Sequence, residues 1–89
     1  MTPLHHAADG GHLSVVKYLC ELGADKEARG EYGMTPLHYA AWKGHLPVVQ
    51  YLCEQGADKE ARDNNDYTPL DRAVDIGHKA VAEFLSGGL

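Results

Sequence analysis

The sequence predicts an all-α repeat solenoid, a stack of helix-turn-helix pairs joined by hairpin-like loops. Three observations lead there. Met1-Thr2-Pro3-Leu4-His5 returns unchanged at Met34-Thr35-Pro36-Leu37-His38, and a third version, Tyr67-Thr68-Pro69-Leu70-Asp71, follows at the same spacing of 33 residues. Residues 1–29 and 34–62 differ at only six positions: His6/Tyr39, Asp9/Trp42, Gly10/Lys43, Ser14/Pro47, Lys17/Gln50 and Leu22/Gln55. Within each copy the apolar residues recur at helical spacing between glycines. A fixed period in the range of roughly 20–50 residues marks units that cannot bury a face alone and must stack on their neighbours.

The middle copy is complete and shows how each element arises. Thr35-Pro36 is a helix start, because the Thr hydroxyl can accept from an orphan amide and Pro at the first helical position forfeits no hydrogen bond. The first helix runs to about Lys43, with Leu37, Ala40 and Ala41 forming a narrow face of small residues that lets another helix approach closely. Gly44 ends it. A second helix tolerates Pro47 in its first turn, turns Val48, Val49, Leu52 and Cys53 inward and leaves Gln50 and Glu54 to solvent. Gly56 is placed to end this helix in the left-handed conformation. Residues 57–66 are polar and turn-rich, leading into the next Thr-Pro. In the third copy Asp71 replaces the histidine, so Thr68-x-x-Asp71 reads as a capping box with a negative charge at a helix N-terminus.

Composition bounds the function. Eighty-nine residues make a single small domain, with repeats at 1–33, 34–66 and 67–89. A net charge of −5, with basic residues scattered among acidic ones, argues against nucleic acid, which needs Lys and Arg gathered along a phosphate track. No apolar run approaches membrane-spanning length and no signal-peptide pattern is present, so membrane insertion is not expected and the default setting is cytoplasmic or nuclear.

The segments TPLHHAADGGHLSVVKYLCELGAD at 2–25, TPLHYAAWKGHLPVVQYLCEQGAD at 35–58 and the looser TPLDRAVDIGHKAVAEFL at 68–85 resemble ankyrin repeats. The resemblance covers nearly the whole chain. It implies a curved stack of helix pairs with loops projecting at right angles and another protein bound on the concave side. The loops depart from the family's Asp-x-x-Gly pattern before each Thr-Pro: Gly30-Glu31-Tyr32-Gly33 lacks the Asp, and Asp63-Asn64-Asn65-Asp66 lacks the Gly. Asp and Asn enter positive φ more readily than other non-glycine residues, so the second tip is expected to form. Residues 67–89 read as a C-terminal cap. No cap precedes residues 1–33, which start at the helix signal itself, and Met1 aligns with internal Met34; the favoured expectation is a cut into a longer array.

Six histidines and two cysteines invite catalytic or metal readings. Five of the histidines occupy two repeat registers, His5 and His38, then His12, His45 and His78, and residues recurring once per unit are expected to orient loops and turns by hydrogen bonding. His6 is out of register, and no Cys-x-x-Cys or His-Glu-x-x-His spacing accompanies it. Cys20 and Cys53 lie one period apart, where stacked helices are separated by about 8–10 Å, too far for an unstrained disulfide; they read as two buried small hydrophobes. No serine elbow, glycine-rich phosphate loop or isolated carboxylate pair suggests an enzyme, and no cofactor is expected.

Function is expected where copies differ without disturbing the scaffold. Tyr39, Trp42 and Lys43 fall at i, i+3, i+4 on the face opposite Leu37, Ala40 and Ala41. The resemblance places this face and the loop tips, Glu31, Tyr32, Met34, Asn64, Asn65 and Tyr67, on the concave protein-binding surface. A competing reading has Tyr39 and Trp42 covering joints between repeats. Two other readings stay open: a spacer held in a larger assembly through its N-terminal edge, and a consensus-derived scaffold, which the near-identity of the copies fits as well as recent duplication does.

Overall fold

The computed structural model describes residues 1–87. Six helices follow in order: α1 (Pro3–Gly10), α2 (Leu13–Glu21), α3 (Pro36–Lys43), α4 (Leu46–Glu54), α5 (Pro69–Ile76) and α6 (Lys79–Leu85). There is no strand among the described residues. The inner helices α1, α3 and α5 pack side by side, and each is backed by the second helix of its own unit. The all-α stack of the sequence reading is therefore the observed fold.

Each inner helix begins as the Thr-Pro signal dictates. Thr2, Thr35 and Thr68 are N-caps in extended conformation, and the side chain of each accepts from the amide three residues on. The helices end at Gly11, Gly44 and Gly77, all left-handed, with φ of 74°, 78° and 88°. At Gly44 a second demand is added. The ring of His78 lies so close that a Cβ would meet Nδ1 at 2.6 Å, and Gly11 stands in the same relation to His45. Turn and stacking thus require glycine together.

The core is a row of small and branched residues repeated along the stack: Leu4, Ala7, Ala8, Val16, Leu37, Ala40, Ala41, Val48, Val49, Leu52, Ala73 and Val81. Alanine at the helix contacts allows close approach, and the larger residues fill the space between the two layers. Gln50 and Glu54 are exposed, as expected. Cys20 and Cys53 are a correction, since both are half-buried free thiols. Cys53 lies one residue past Leu52, about 100° round the helix, which carries it off the buried stripe to its margin. Burial still pushes both thiols above their ordinary pKa, against the pull of Lys26 on Cys20 and of Lys59 on Cys53.

The loops are hairpin-like in their turns but too short for a ladder. Gly30 N–H donates to the Met34 carbonyl at 2.8 Å, and Asp63 N–H to the Tyr67 carbonyl at 2.9 Å. Their tips differ. In the first, Tyr32 (φ 58°) and Gly33 (φ 68°) are both left-handed, the signature of a type I′ turn, closed by Met34 N–H on the Glu31 carbonyl at 3.1 Å. In the second, Asp66 alone is left-handed (φ 65°) and does the work of Gly33. The expectation that Asp or Asn could form this tip is borne out, whereas a left-handed tyrosine was not foreseen.

At the two ends of the stack apolar side chains stay exposed. Val15, Tyr18 and Leu22 are 46%, 61% and 66% accessible, while Val48, the counterpart of Val15 one unit on, is 1% accessible. The third unit exposes Asp71 and Asp75 but also Val74 and Ile76.

Leu52→Ala should therefore destabilise the chain by about 2–5 kcal/mol, through lost burial and the cavity left behind. Leu22→Gln, at the register where the second unit already carries Gln55, should change stability by less than about 0.5 kcal/mol. Urea unfolding monitored by circular dichroism checks both; equal effects would contradict this description of the core.

Candidate interaction face

The candidate face is built on a tie between successive units. His38, fully buried at the third position of α3, accepts through Nδ1 from the Thr35 amide at 3.1 Å, so its proton sits on Nε2. Nε2–H donates to the Tyr67 carbonyl of the following loop at 2.8 Å. His5 repeats this one unit earlier, with Nδ1 accepting from the Thr2 amide at 3.0 Å and Nε2 reaching the carbonyls of Ala28 and Met34 at 2.8 and 3.1 Å. The imidazole plays the capping-box role usually taken by Glu, and its far side fastens the next loop. Burial lowers the pKa of both rings, against the smaller upward pull of the carbonyls they face, so they are held neutral. His45 makes a second tie, its Nε2–H donating to the Asp9 carbonyl at 2.9 Å. The expectation that histidines in register orient loops and turns holds at His5, His38 and His45, while the rings of His12 and His78 make no such bond among the described residues.

Fastened loops bring their tips together. Asn64 N–H donates to the Tyr32 carbonyl at 2.8 Å, and Arg29 donates to the carbonyls of Gly33 and Arg62. Behind the second tip Asp63 is buried and accepts from the amides of Asn65 and Tyr67 at 2.9 and 3.0 Å. Arg72 completes its shell, with Nε–H donating at 2.7 Å and a second guanidinium nitrogen at 2.7 Å from the same oxygen. Burial alone would raise the Asp63 pKa, but the Tyr67 amide, Arg72 and the Asn65 amide together hold it below the usual carboxylate range.

Arg72 also organises the aromatics. Its guanidinium lies 4.6 Å from the Tyr67 ring centre and 5.8 Å from that of Trp42. Lys43 approaches the same indole at 5.6 Å and pairs with Asp9 at 3.2 Å. Trp42 is thus flanked by two cations while remaining partly accessible. Beside it is a cleft of about 230 Å³ lined by Tyr32, Met34, Trp42, Asn65 and Arg72.

The predicted residues divide into two groups. Glu31, Tyr32, Lys43, Asn64 and Asn65 are exposed, and Trp42 and Tyr67 are half-buried. Tyr39 and Met34 are corrections. Tyr39 is 4% accessible, with its ring edge-on to His5 at 5.5 Å and its hydroxyl donating to the Glu31 carbonyl at 3.2 Å. It seals the joint between the first two units, as the competing reading had it. Met34 is fully buried beneath the first loop and meets the surface only as the floor of the cleft. Arg72 and Asp63 were missed. Arg72 occupies the register of His6 and Tyr39, so comparison extended to the third copy would have singled it out.

Comparison with known families follows the same lines. A family model described as ankyrin repeats (3 copies) matches residues 1–63, and another, ankyrin repeats (many copies), matches residues 43–85. A search of curated proteins gives no match. Among the described residues no helix is long and apolar enough to cross a membrane.

Two effects of acid follow from the buried groups. The folded pKa values of His5 and His38 are lowered, so the unfolded chain takes up protons first as pH falls. Their contribution is complete above about pH 6.5 and drains away below it. Asp63 is likewise lowered, and its contribution persists until below about pH 3.9. Melting temperature should therefore fall from about pH 6.5 downward, and His38→Gln should be less stable at pH 7 but flatter through this range. Arg72→Met should cost roughly 3–5 kcal/mol, because it strands a buried carboxylate. Lys43→Met, at an exposed pair, should cost about 1 kcal/mol or less. Thermal and urea unfolding across pH check each outcome.

Proposed function

The chain belongs to the ankyrin repeat family, and from that premise we propose that it is a non-catalytic protein-binding module whose partner docks on the face carrying Glu31, Tyr32, Trp42, Lys43, Asn64, Asn65 and Tyr67, with Arg72 added to that set. Ankyrin repeats are generally protein–protein interaction modules. The partner is another protein; neither nucleic acid nor a membrane is part of this reading, and the setting is cytoplasmic or nuclear. Tyr39 and Met34 belong to it as supports from below.

The observation that carries the reading is Trp42 flanked by Arg72 and Lys43 beside an open cleft. An aromatic side chain already fixed by its neighbours loses little freedom on binding, and large aromatics beside cations supply most of the energy in many interfaces. A partner's apolar side chain would cover the indole, and its carboxylates or carbonyls would meet Lys43. Tyr32, Asn64 and Asn65 form a rim that offers hydrogen bonds around that centre.

Once a partner is captured and mapped by cross-linking, Trp42→Ala should weaken its binding by about 2 kcal/mol or more, roughly 30-fold in Kd. Gln50 or Glu54 substitutions on α4 should change binding by less than about 0.5 kcal/mol. Melting temperatures measured in parallel separate loss of contact from loss of fold. Unchanged affinity on Trp42→Ala, with loss on an α4 substitution, would place the partner on the other side of the stack.

A further inference from the structure

We propose that the cleft beside Trp42 receives the C-terminal residue of the partner chain, with its apolar side chain against the indole and its α-carboxylate on Arg72. This names the chemistry of the partner and rests on the reading of the Trp42 face as a protein-binding surface.

Arg72 supplies the unused donors. A guanidinium carries five N–H groups in a planar fork, and Asp63 engages Nε and one terminal nitrogen, both through the same oxygen. The other terminal nitrogen, Nη1, has no acceptor among the described residues. No side-chain nitrogen or oxygen sealed from solvent lacks a partner among these residues, so Nη1 lies open to the surface. The side chain as a whole is 11% accessible and lines the cleft. Asp63 behind it is 0% accessible, so an anion entering the cleft meets the guanidinium and not the carboxylate. The joint between the first and second units offers nothing of the kind. There the register of Arg72 is held by Tyr39, whose one donor is already spent on the Glu31 carbonyl.

The other walls are apolar. Met34 is the floor, Trp42 and Tyr32 flank it, and Asn65 stands at the rim. A cavity of about 150 Å³ holds a benzene molecule, so a cleft of about 230 Å³ takes a branched or aromatic side chain together with a carboxylate. Lys43 and Arg72 already stand at the indole, and a cationic side chain of the partner is repelled there.

A chain end satisfies both halves of the cleft. An internal leucine covers the walls but brings no anion to Arg72. A glutamate brings the anion but has only two methylenes to lay against Trp42, Tyr32 and Met34. The last residue of a chain carries an apolar side chain and a carboxylate on one Cα, and its backbone needs an exit on one side only. The chain's net charge of −5 opposes an anion at long range, so selection rests on the short-range hydrogen bonds of Arg72 and on the apolar walls.

The test offers the purified 89-residue chain a library of short peptides randomised at every position, made once with free C-termini and once as C-terminal amides, and sequences the peptides retained. The free library is expected to enrich Leu, Ile, Met or Phe at the last position, and the amide library to enrich nothing. An enriched peptide remade as its amide is expected to bind more than about 10-fold more weakly, the loss of a charge-assisted hydrogen bond. Trp42 is the only tryptophan, so its fluorescence on titration reads occupancy of the cleft. Arg72→Lys keeps a cation beside Asp63 but loses the planar fork, and is expected to bring acid and amide close to equal affinity. Should that variant disturb the fold, the comparison of acid and amide on the wild-type chain decides alone. Equal binding of acid and amide overturns the proposal, and an internal Glu or Asp enriched in both libraries replaces it with an acidic segment running through the cleft. Enriched peptides that leave Trp42 fluorescence unchanged also overturn it. So does a free library that enriches nothing, in which case the Trp42 face itself is still judged by the effect of Trp42→Ala on a captured protein partner.

Discussion

The neutral imidazole at the third position of an inner helix is the interaction on which the stack depends. One ring nitrogen closes the helix start on which it sits, and the other fastens the loop of the unit that follows. A glutamate in the same place would close the helix start equally well but would have no proton for the carbonyl beyond. Histidine does both only while uncharged, so burial, which keeps the ring neutral, is part of the device. Helix capping and inter-repeat order are thereby one interaction, repeated at His5 and His38 and discontinued at Asp71.

Much of the surface follows from that tie. A fastened loop places Tyr67 and Asp63 beside α5, and Arg72 then bridges the buried carboxylate and the two aromatic rings. Tyr39 could not seal the first joint unless His5 were held edge-on to it. The half-buried indole of Trp42 is thus held between Arg72 and Lys43 for reasons that lie several residues away, in backbone carbonyls and buried polar atoms, and a side chain already held in place has little freedom left to lose. Loss of a loop tie would disturb the face without touching it.

Recurrence made the scaffold readable. Helix starts at Thr-Pro, glycine stops and the Leu37, Ala40, Ala41 stripe could be taken from spacing, because backbone hydrogen bonding and close packing leave few residue types able to fill those places. The variable face was harder to read. Tyr39, Trp42 and Lys43 share a helix face by spacing, yet Tyr39 lies toward the preceding unit and is covered, while Trp42 lies toward the following one and stays accessible. Helical periodicity fixes angle round an axis and carries no information on which neighbour stands at that angle. Arg72 escaped for a related reason: its partners Asp63, Tyr67 and Trp42 come from other elements, and only the folded stack brings them together. The left-handed conformation of Tyr32 had no signal in residue type at all.

The most direct test of the histidine tie is the tautomeric and charge state of the two rings, read from ¹⁵N chemical shifts of His5 and His38 in the folded chain. The account predicts neutral rings at pH 6.5 with the proton on Nε2, and a slowly exchanging Hε2 resonance for each. Rings protonated on Nδ1, or charged at that pH, would mean that the imidazoles do not hold the loops and that something else sets the order of the repeats.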